Sequence, residues 1–340
     1  MAEEKYEDGP VHLSKGTIVG NQWKVVKKLG EGGCGAVYMV ECTTGFKQMA
    51  ALKAESNFVE GGSVLKIEVD ILTRLKGKKH VAELFHAGKK EKYQYMVMSL
   101  LGESLNNLLK RCGKQVSVST QLRVGLQVLY GLKQVHDIGC IHRDIKPANL
   151  AIGRNGCSDT NFIHILDFGL AREFVIQEPD GTYKMRKPRK HALFRGTTRY
   201  CSINTHEKAE QGRCDDLWSL LYVIAEMRGK LPWTALKEKK DLLECKKNTT
   251  DEDLLKQRGY RWKDAWDWDK QSSLRKLTEA QTPGGDKSTS SKVSCRTAST
   301  AKDPSKRNVR TVMGEEKTTM DNDDPAPFQE EDFATDPLGF

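Results

Sequence analysis

A two-lobed α+β fold, with a small β-rich lobe ahead of a larger, mostly helical one, is predicted for this chain by three features. Residues 17–98 read as strands interrupted by one helical segment, residues 99–102 break that pattern, and beyond them apolar residues recur at helical spacing. At 340 residues the chain is long enough for one such domain and a tail, with ample material for a core.

Each element follows from its local sequence. Residues 1–16 read as a flexible lead-in. Leu29-Gly-Glu-Gly-Gly-Cys-Gly-Ala-Val-Tyr38 reads as a strand pair joined by a glycine-rich turn, in which Gly30, Gly32 and Gly35 allow close backbone approach and positive φ, with Val37 after them. Met49–Glu55 is a strand carrying Ala51 and Lys53. Ser63–Leu75 is a helix with Leu65, Val69, Leu72 and Leu75 on one stripe, and Glu68 lies on it. Glu91–Met98 alternates like a strand, and Ser99-Leu-Leu-Gly102 is placed to act as a hinge with free backbone groups. Ser104–Leu109 and Gln121–His136 read as helices, and Asp215–Arg228 as a buried helix, apolar on nearly all sides and stopped at Leu231-Pro-Trp-Thr234. Arg172–Arg199 reads as a long polar loop. From about Gln271 the composition turns to Ser, Thr, Lys, Gly and Pro, then to an acidic end, so 271–340 is expected to be a disordered tail.

Two runs carry the chemistry: Cys140-Ile-His-Arg-Asp-Ile-Lys-Pro-Ala-Asn-Leu150 and Ile165-Leu-Asp-Phe-Gly-Leu-Ala-Arg172. Together they supply a base, a phosphate-neutralising lysine and two hard oxygen donors, which is what phosphoryl transfer by a protein kinase requires. Asp144 is the candidate base for the attacking hydroxyl, Lys146 the cation over the transferring phosphate, and Asn149 and Asp167 the Mg²⁺ ligands. Upstream, the glycine turn fits Gly-x-Gly-x-x-Gly-x-Val, and Lys53 with Glu68 forms the expected pair on the α and β phosphates. ATP is expected against Gly30, Gly32, Gly35, Val37, Ala51, Lys53, Met98, Leu101 and Ala151.

Composition narrows the remaining classes. Net charge is +9, but the densest basic run, Lys184–Lys190, lacks interleaved aromatics, so nucleic acid is a poor fit and an acidic protein substrate a better one. No apolar stretch reaches the roughly 18 residues of a membrane span, and the acidic start does not read as a signal peptide. A cytoplasmic monomer, with access to the nucleus, is expected. The nine cysteines form no Cys-x-x-Cys pair and read as reduced, with Cys34 at the glycine tip a small filler. The run at Ser288-Thr-Ser-Ser291 reads as polar linker.

Finer motifs resemble one branch. Ser202-Ile-Asn204, within Phe194–His206, stands where most kinases carry Ala-Pro-Glu and resembles the casein kinase I superfamily. Gly212-Arg-Cys-Asp-Asp-Leu-Trp-Ser219, Gly229-Lys-Leu-Pro-Trp233 and Ala151 look most like tau-tubulin kinases, and the resemblance covers about 17–250. It implies a bilobal kinase fold (17–98, hinge 99–102, 103–270), Mg-ATP, and Ser/Thr acceptors in acidic or already phosphorylated proteins. It also implies that Thr197 hydrogen-bonds the catalytic base and that Arg199 and Lys237 hold an anion near the acceptor. One departure stands out: between Leu255 and Gly259 the family carries two more helices, so the larger lobe is expected to be truncated after the 215–228 helix. Such a loss exposes apolar surface worth on the order of 10 kcal/mol, and Trp262, Trp266 and Trp268 are expected to re-cover part of it by packing.

Overall fold

The computed structural model describes residues 11–250 and Asp253, apart from residues 33, 34, 46, 60, 61, 114, 158 and 179. The readings for residues 1–10, Cys34, the three tryptophans and deletion near 255–269, and the tail at 271–340 lie outside the described residues.

The first lobe is one antiparallel sheet of six strands, in the order β1-β2-β3-β4-β6-β5. These are β1 (Ile18–Val19), β2 (Trp23–Gly32), β3 (Gly35–Cys42), β4 (Met49–Ser56), β5 (Leu84–Lys89) and β6 (Tyr93–Ser99), with α1 (Leu65–Arg74) between β4 and β5. The side-chain period of 2 divides β3, β4 and β6 cleanly. Tyr38, Val40, Ala50, Leu52, Tyr95 and Val97 face one way and close a core with Val19, Trp23 and Val25. The opposite face carries Val37, Ala51, Lys53 and Met98, because Val37 pairs with Lys53 and Ala51 with Met98. Gly35 must be glycine, since its φ is +107° and a Cβ would stand 2.2 Å from the Ala54 carbonyl oxygen. The lead-in differs from expectation in its described part. The Tyr38 hydroxyl donates to the Val11 carbonyl at 2.6 Å and accepts from the Leu13 amide at 3.1 Å, which fixes the chain to the sheet from Val11 onward.

The second lobe is helical. It holds α2 (Leu105–Arg111), α3 (Val118–Asp137), α4 (Ile203–His206), α5 (Arg213–Glu226) and α6 (Lys239–Asn248). Ser104, Ser117 and Ser202 accept backbone N–H bonds at the starts of α2, α3 and α4. Short strands β7 (Cys140–Ile141), β8 (Leu150–Ile152) and β9 (Ile163–Ile165) carry the catalytic run, and β8 pairs with β9. One sequence reading is corrected here. The 172–199 stretch is not a plain loop: β10 (Arg172–Glu173) pairs with β7, and β11 (Val175–Gln177) forms a hairpin with β12 (Tyr183–Met185) around Asp180-Gly181. Past the 215–228 helix the described residues include α6, whose charged sequence carries the buried Leu242 and Lys246.

The ammonium of Lys246 lies against Tyr222 and Trp233, 5.1 and 5.3 Å from the ring centroids. It donates to the carbonyls of Thr198 (2.8 Å) and Cys201 (2.5 Å) and so ties α6 to the end of the 172–199 stretch. Burial pushes its pKa down to about 8.

One apolar face stays open. Val118, Leu122, Leu126 and Leu129 recur along α3 at helical spacing and are exposed, Leu122 at 59% and Leu126 at 66%. On α5, Trp218 and Leu221 are exposed as well, so α5 is not apolar-buried on nearly all sides as its sequence suggested. Among the described residues no helix is long and apolar enough to cross a membrane.

Two outcomes are expected. Replacing Leu122 or Leu126 with Gln shifts the denaturant midpoint little, by less than about 0.5 kcal/mol each, whereas Leu132→Ala in the core costs about 2–5 kcal/mol. The folded pKa of Lys246 lies below its unfolded value of 10.5, so between pH 8 and 10 the unfolded chain holds more protons and folding becomes more favourable as pH rises. Relative to Lys246→Met, wild-type stability should therefore increase across that window by on the order of 1 kcal/mol in urea titrations.

Candidate active site

The catalytic run is held from below by a buried carboxylate. Asp216, on α5, accepts the backbone amides of His142 and Arg143, each at 2.8 Å, and His136 Nε2 at 2.9 Å. Burial alone would raise its pKa, but these donors hold it below the ordinary carboxylate value. Arg143 sits at φ +68°, a left-handed conformation that a non-glycine residue keeps only when its surroundings hold it there. His142 Nε2 donates to the Leu166 carbonyl at 3.0 Å, its Nδ1 accepts the Asp144 amide at 3.2 Å, and its ring packs on Phe168. The two motif runs are thereby locked to each other.

At the centre of the site, Asp144 is surrounded by donors. The Thr197 hydroxyl donates to Asp144 Oδ1 at 2.7 Å, Lys146 Nζ donates to Oδ2 at 2.5 Å, and Asn149 Nδ2 reaches Oδ2 at 3.2 Å. Lys146 Nζ also donates to the Thr197 hydroxyl at 3.2 Å, closing a three-membered ring of contacts. Thr197 is delivered by Gly196, where φ is +106° and a Cβ would stand 2.5 Å from the Arg143 carbonyl oxygen.

Lys53 projects from β4 into a carboxylate pair. It forms an ion pair with Glu68 of α1, and its Nζ is 3.3 Å from Asp167 Oδ1. Desolvation pushes the Glu68 pKa up to about 7, against the pull of Lys53. Burial would raise Asp167 too, but Lys53, His142 and Lys146 bring it below the usual range. Asp167 adopts a left-handed backbone, φ 67° and ψ 74°. Asn149 spends its amide N–H on Asp144, leaving its Oδ1 as an acceptor, and the Asp167 carboxylate is partly exposed. Two oxygen donors of this type, beside a lysine, suit Mg²⁺ held jointly with nucleotide phosphates.

The remaining nucleotide candidates fall on two surfaces. Val37, Ala51, Lys53 and Met98 share one sheet face, and Gly30 pairs with Val37 on the adjoining strand. At the end of the hinge, which also holds Leu101, the Gly102 amide donates to the Ile152 carbonyl at 2.9 Å, beside Ala151 on β8. Gly32 and Gly35 face each other at the mouth of the glycine turn.

The motif that singled out the branch has a structural job. Ser202 Oγ donates to Asp215 Oδ1 at 2.5 Å, and Asn204 Nδ2 and the Gly212 amide reach Asp215 Oδ2 at 3.3 and 2.7 Å. Nearby, Arg199 and the Tyr200 hydroxyl contact Glu226 at 3.3 and 2.5 Å. Of the two cations expected to hold an anion near the acceptor, Arg199 is paired with Glu226 and Lys237 is exposed just ahead of α6. The basic run is largely paired, Lys184 with Glu178, Arg186 with Glu173 and Arg189 with Glu210. Sequence reading assigned no role to Asp215, Asp216, Glu226 or Lys246. The consecutive acids Asp215-Asp216, heading an otherwise apolar helix, were the one signal available, since buried carboxylates call for partners.

Comparison with known proteins agrees with this geometry. Residues 23–308 match the protein kinase domain family. A Caenorhabditis elegans protein named as a serine/threonine-protein kinase is 52% identical over 247 residues, covering 73% of this chain and 71% of that protein. A casein kinase I homolog of Kluyveromyces lactis is 34% identical over 239 residues, 68% of this chain but 42% of its own length. A C. elegans protein named as an inactive tau-tubulin kinase is 42% identical over 183 residues, 52% of this chain and 63% of that protein. With the Ser-Ile-Asn anchor on Asp215 and the Asp144 site in place, the chain belongs to the protein kinase family, among the serine/threonine kinases, and is similar to casein kinase I homologs.

Proposed function

We propose that the chain transfers the γ-phosphate of Mg-ATP to serine or threonine in acidic or already phosphorylated proteins. The observation that carries this reading is the ring of Asp144, Lys146 and Thr197 beside the Lys53–Glu68–Asp167 cluster. Asn149 and Asp167 would hold Mg²⁺, which when bound would supply charge neutralisation on the phosphates. The residues do the rest. Lys53, steered by Glu68, holds the α and β phosphates. Asp144, oriented by Thr197, accepts the proton of the acceptor hydroxyl. Lys146 stands next to both and neutralises the transferring group. Pairing of Arg199 with Glu226 leaves a recess of about 130 Å³, lined also by Lys110 and Tyr200, in which the guanidinium can meet an anion on the substrate. An acidic substrate is also favoured by the net charge of +9.

A second reading is a kinase-shaped scaffold with little turnover. It is favoured by the open apolar face of α3 and α5 and by the relative named as inactive.

Transfer of labelled γ-phosphate from Mg-ATP to casein and to tubulin, beside Asp144→Asn, separates the two. Wild-type transfer that falls by at least about 100-fold in Asp144→Asn supports the enzyme; no transfer from soluble, folded wild type supports the scaffold. Thr197→Val, which removes the hydroxyl but keeps the shape, should lower kcat by about 10- to 100-fold, and Thr197→Ser by much less. Equal kcat for Thr197→Val and wild type would remove Thr197 from the mechanism.

A further inference from the structure

Between Arg172 and Gly196 the chain carries Arg172, Arg186, Arg189 and Arg195, and Arg143 precedes the base Asp144. Arg143 donates to the carbonyls of Leu170 (2.5 Å) and Ala171 (3.5 Å) and lies in the field of three like charges, Arg172, Arg189 and Arg195, with Glu210 as the opposing one. Such a cluster drives the stretch away from the catalytic run unless an anion sits inside it. Glu210 is that anion for Arg189 and Arg172, while Arg186 pairs with Glu173. Its carboxylate takes Arg189 Nε and Nη2 at 2.6 and 2.8 Å, the Arg189 amide at 3.1 Å, and Arg172 Nε at 3.3 Å.

The neighbours of Glu210 complete a ledge. The Ala192 amide donates to the Lys208 carbonyl at 2.8 Å, and Gln211 Nε2 donates to the Arg195 carbonyl at 3.2 Å. The next residue after Arg195 is Gly196, and then comes Thr197, whose hydroxyl bonds Asp144. Residues 208–211 therefore hold 189–195 in place and set down Thr197 on the base. On the other side, Arg172 lies on β10, which pairs with β7 immediately ahead of His142 and Asp144.

We propose, on the reading of the site as a phosphoryl-transfer centre, that Glu210 is a positioning residue: a permanent carboxylate counter-ion that folds residues 172–199 onto Asp144. An added phosphate orders a segment in the same way, by giving clustered arginines an anion to bind. Here the charge is built into the chain. The stretch itself offers few places for a phosphate, because between Arg172 and Gly196 its only hydroxyl side chains are Thr182 and Tyr183, on the β11–β12 hairpin, and Thr182 donates to Asp180 Oδ1 at 2.6 Å.

The test uses the full chain and two readouts, steady-state transfer to casein and chymotrypsin cleavage at Tyr183, Leu193 and Phe194. Glu210→Gln, nearly isosteric but neutral, should lower kcat by about tenfold or more while the KM for ATP stays within about twofold, and it should speed cleavage of the segment. Glu210→Asp should retain most of both. Glu210→Ala should regain activity on addition of inorganic sulfate, which supplies an anion to the arginines, whereas wild type should not respond. If Glu210→Gln is unfolded, Arg189→Gln tests the same contact from the other partner and should show the same pattern. The proposal fails if these variants keep wild-type kcat and cleavage rate, or if they lower only the melting temperature. Absence of transfer by wild type would sink the phosphoryl-transfer reading, while the cleavage contrast would still decide whether Glu210 orders the segment.

Discussion

The carboxylate of Asp216 is the interaction on which the catalytic geometry depends. It is buried, it is the fourth residue of α5, and it gathers the amides of His142 and Arg143 and the ring of His136. An ionised carboxylate in such a place is tolerated only when its lone pairs are used. Here they are used to hold the peptide ahead of Asp144 in a shape it would not choose alone, with Arg143 at positive φ. The desolvation cost and the backbone strain are met by one set of hydrogen bonds, which is why base, lysine and asparagine leave this loop in a fixed arrangement.

The same logic recurs one residue earlier. Asp215 binds Ser202, Asn204 and the Gly212 amide, so the head of α5 anchors the catalytic loop with one carboxylate and the Ser202–Asn204 segment, just past the 172–199 stretch, with the other. Glu226, near the far end of the helix, takes Arg199 and Tyr200. Lys246 reverses the sign, with a buried cation on the carbonyls of Thr198 and Cys201. The 197–204 region is thus fastened by charges on both sides, and Thr197 reaches Asp144 from a rigid base. Preorganised donors around a reacting group are what such chemistry needs, because the enzyme does not then reorganise as charge shifts.

The contrast lies in the apolar part of the second lobe. The core of α3 and α5 is well filled around Val128, Leu132, Leu220 and Val223, yet their outer faces show Leu122, Leu126, Trp218 and Leu221. A soluble domain seldom leaves so many large apolar side chains aligned on adjoining helices. The polar scaffold of the site is complete on its own side of α5, and the uncovered surface lies on other faces of the same helices.

Much was legible in the residues themselves. Glycine spacing, Lys53 and Glu68 at strand and helix positions, Asp144 with Lys146 and Asn149, and Asp167 before Phe-Gly are local patterns, because close backbone approach, charge and oxygen donors depend on residue type and short spacing. Periodicity placed α1, α2, α3 and most of the sheet for the same reason, since an amphipathic face is written into consecutive residues. What sequence misread was non-local. Sequence reading takes the β11–β12 hairpin for part of a loop and does not find α6 at all, because their pairing and buried faces depend on partners elsewhere in the chain. That Asp216 holds His142, that Lys246 reaches Thr198, and that Arg199 meets Glu226 were decided by the tertiary structure. The energy of a buried charge is set by donors dozens of residues away, and no local pattern records where the fold will place them.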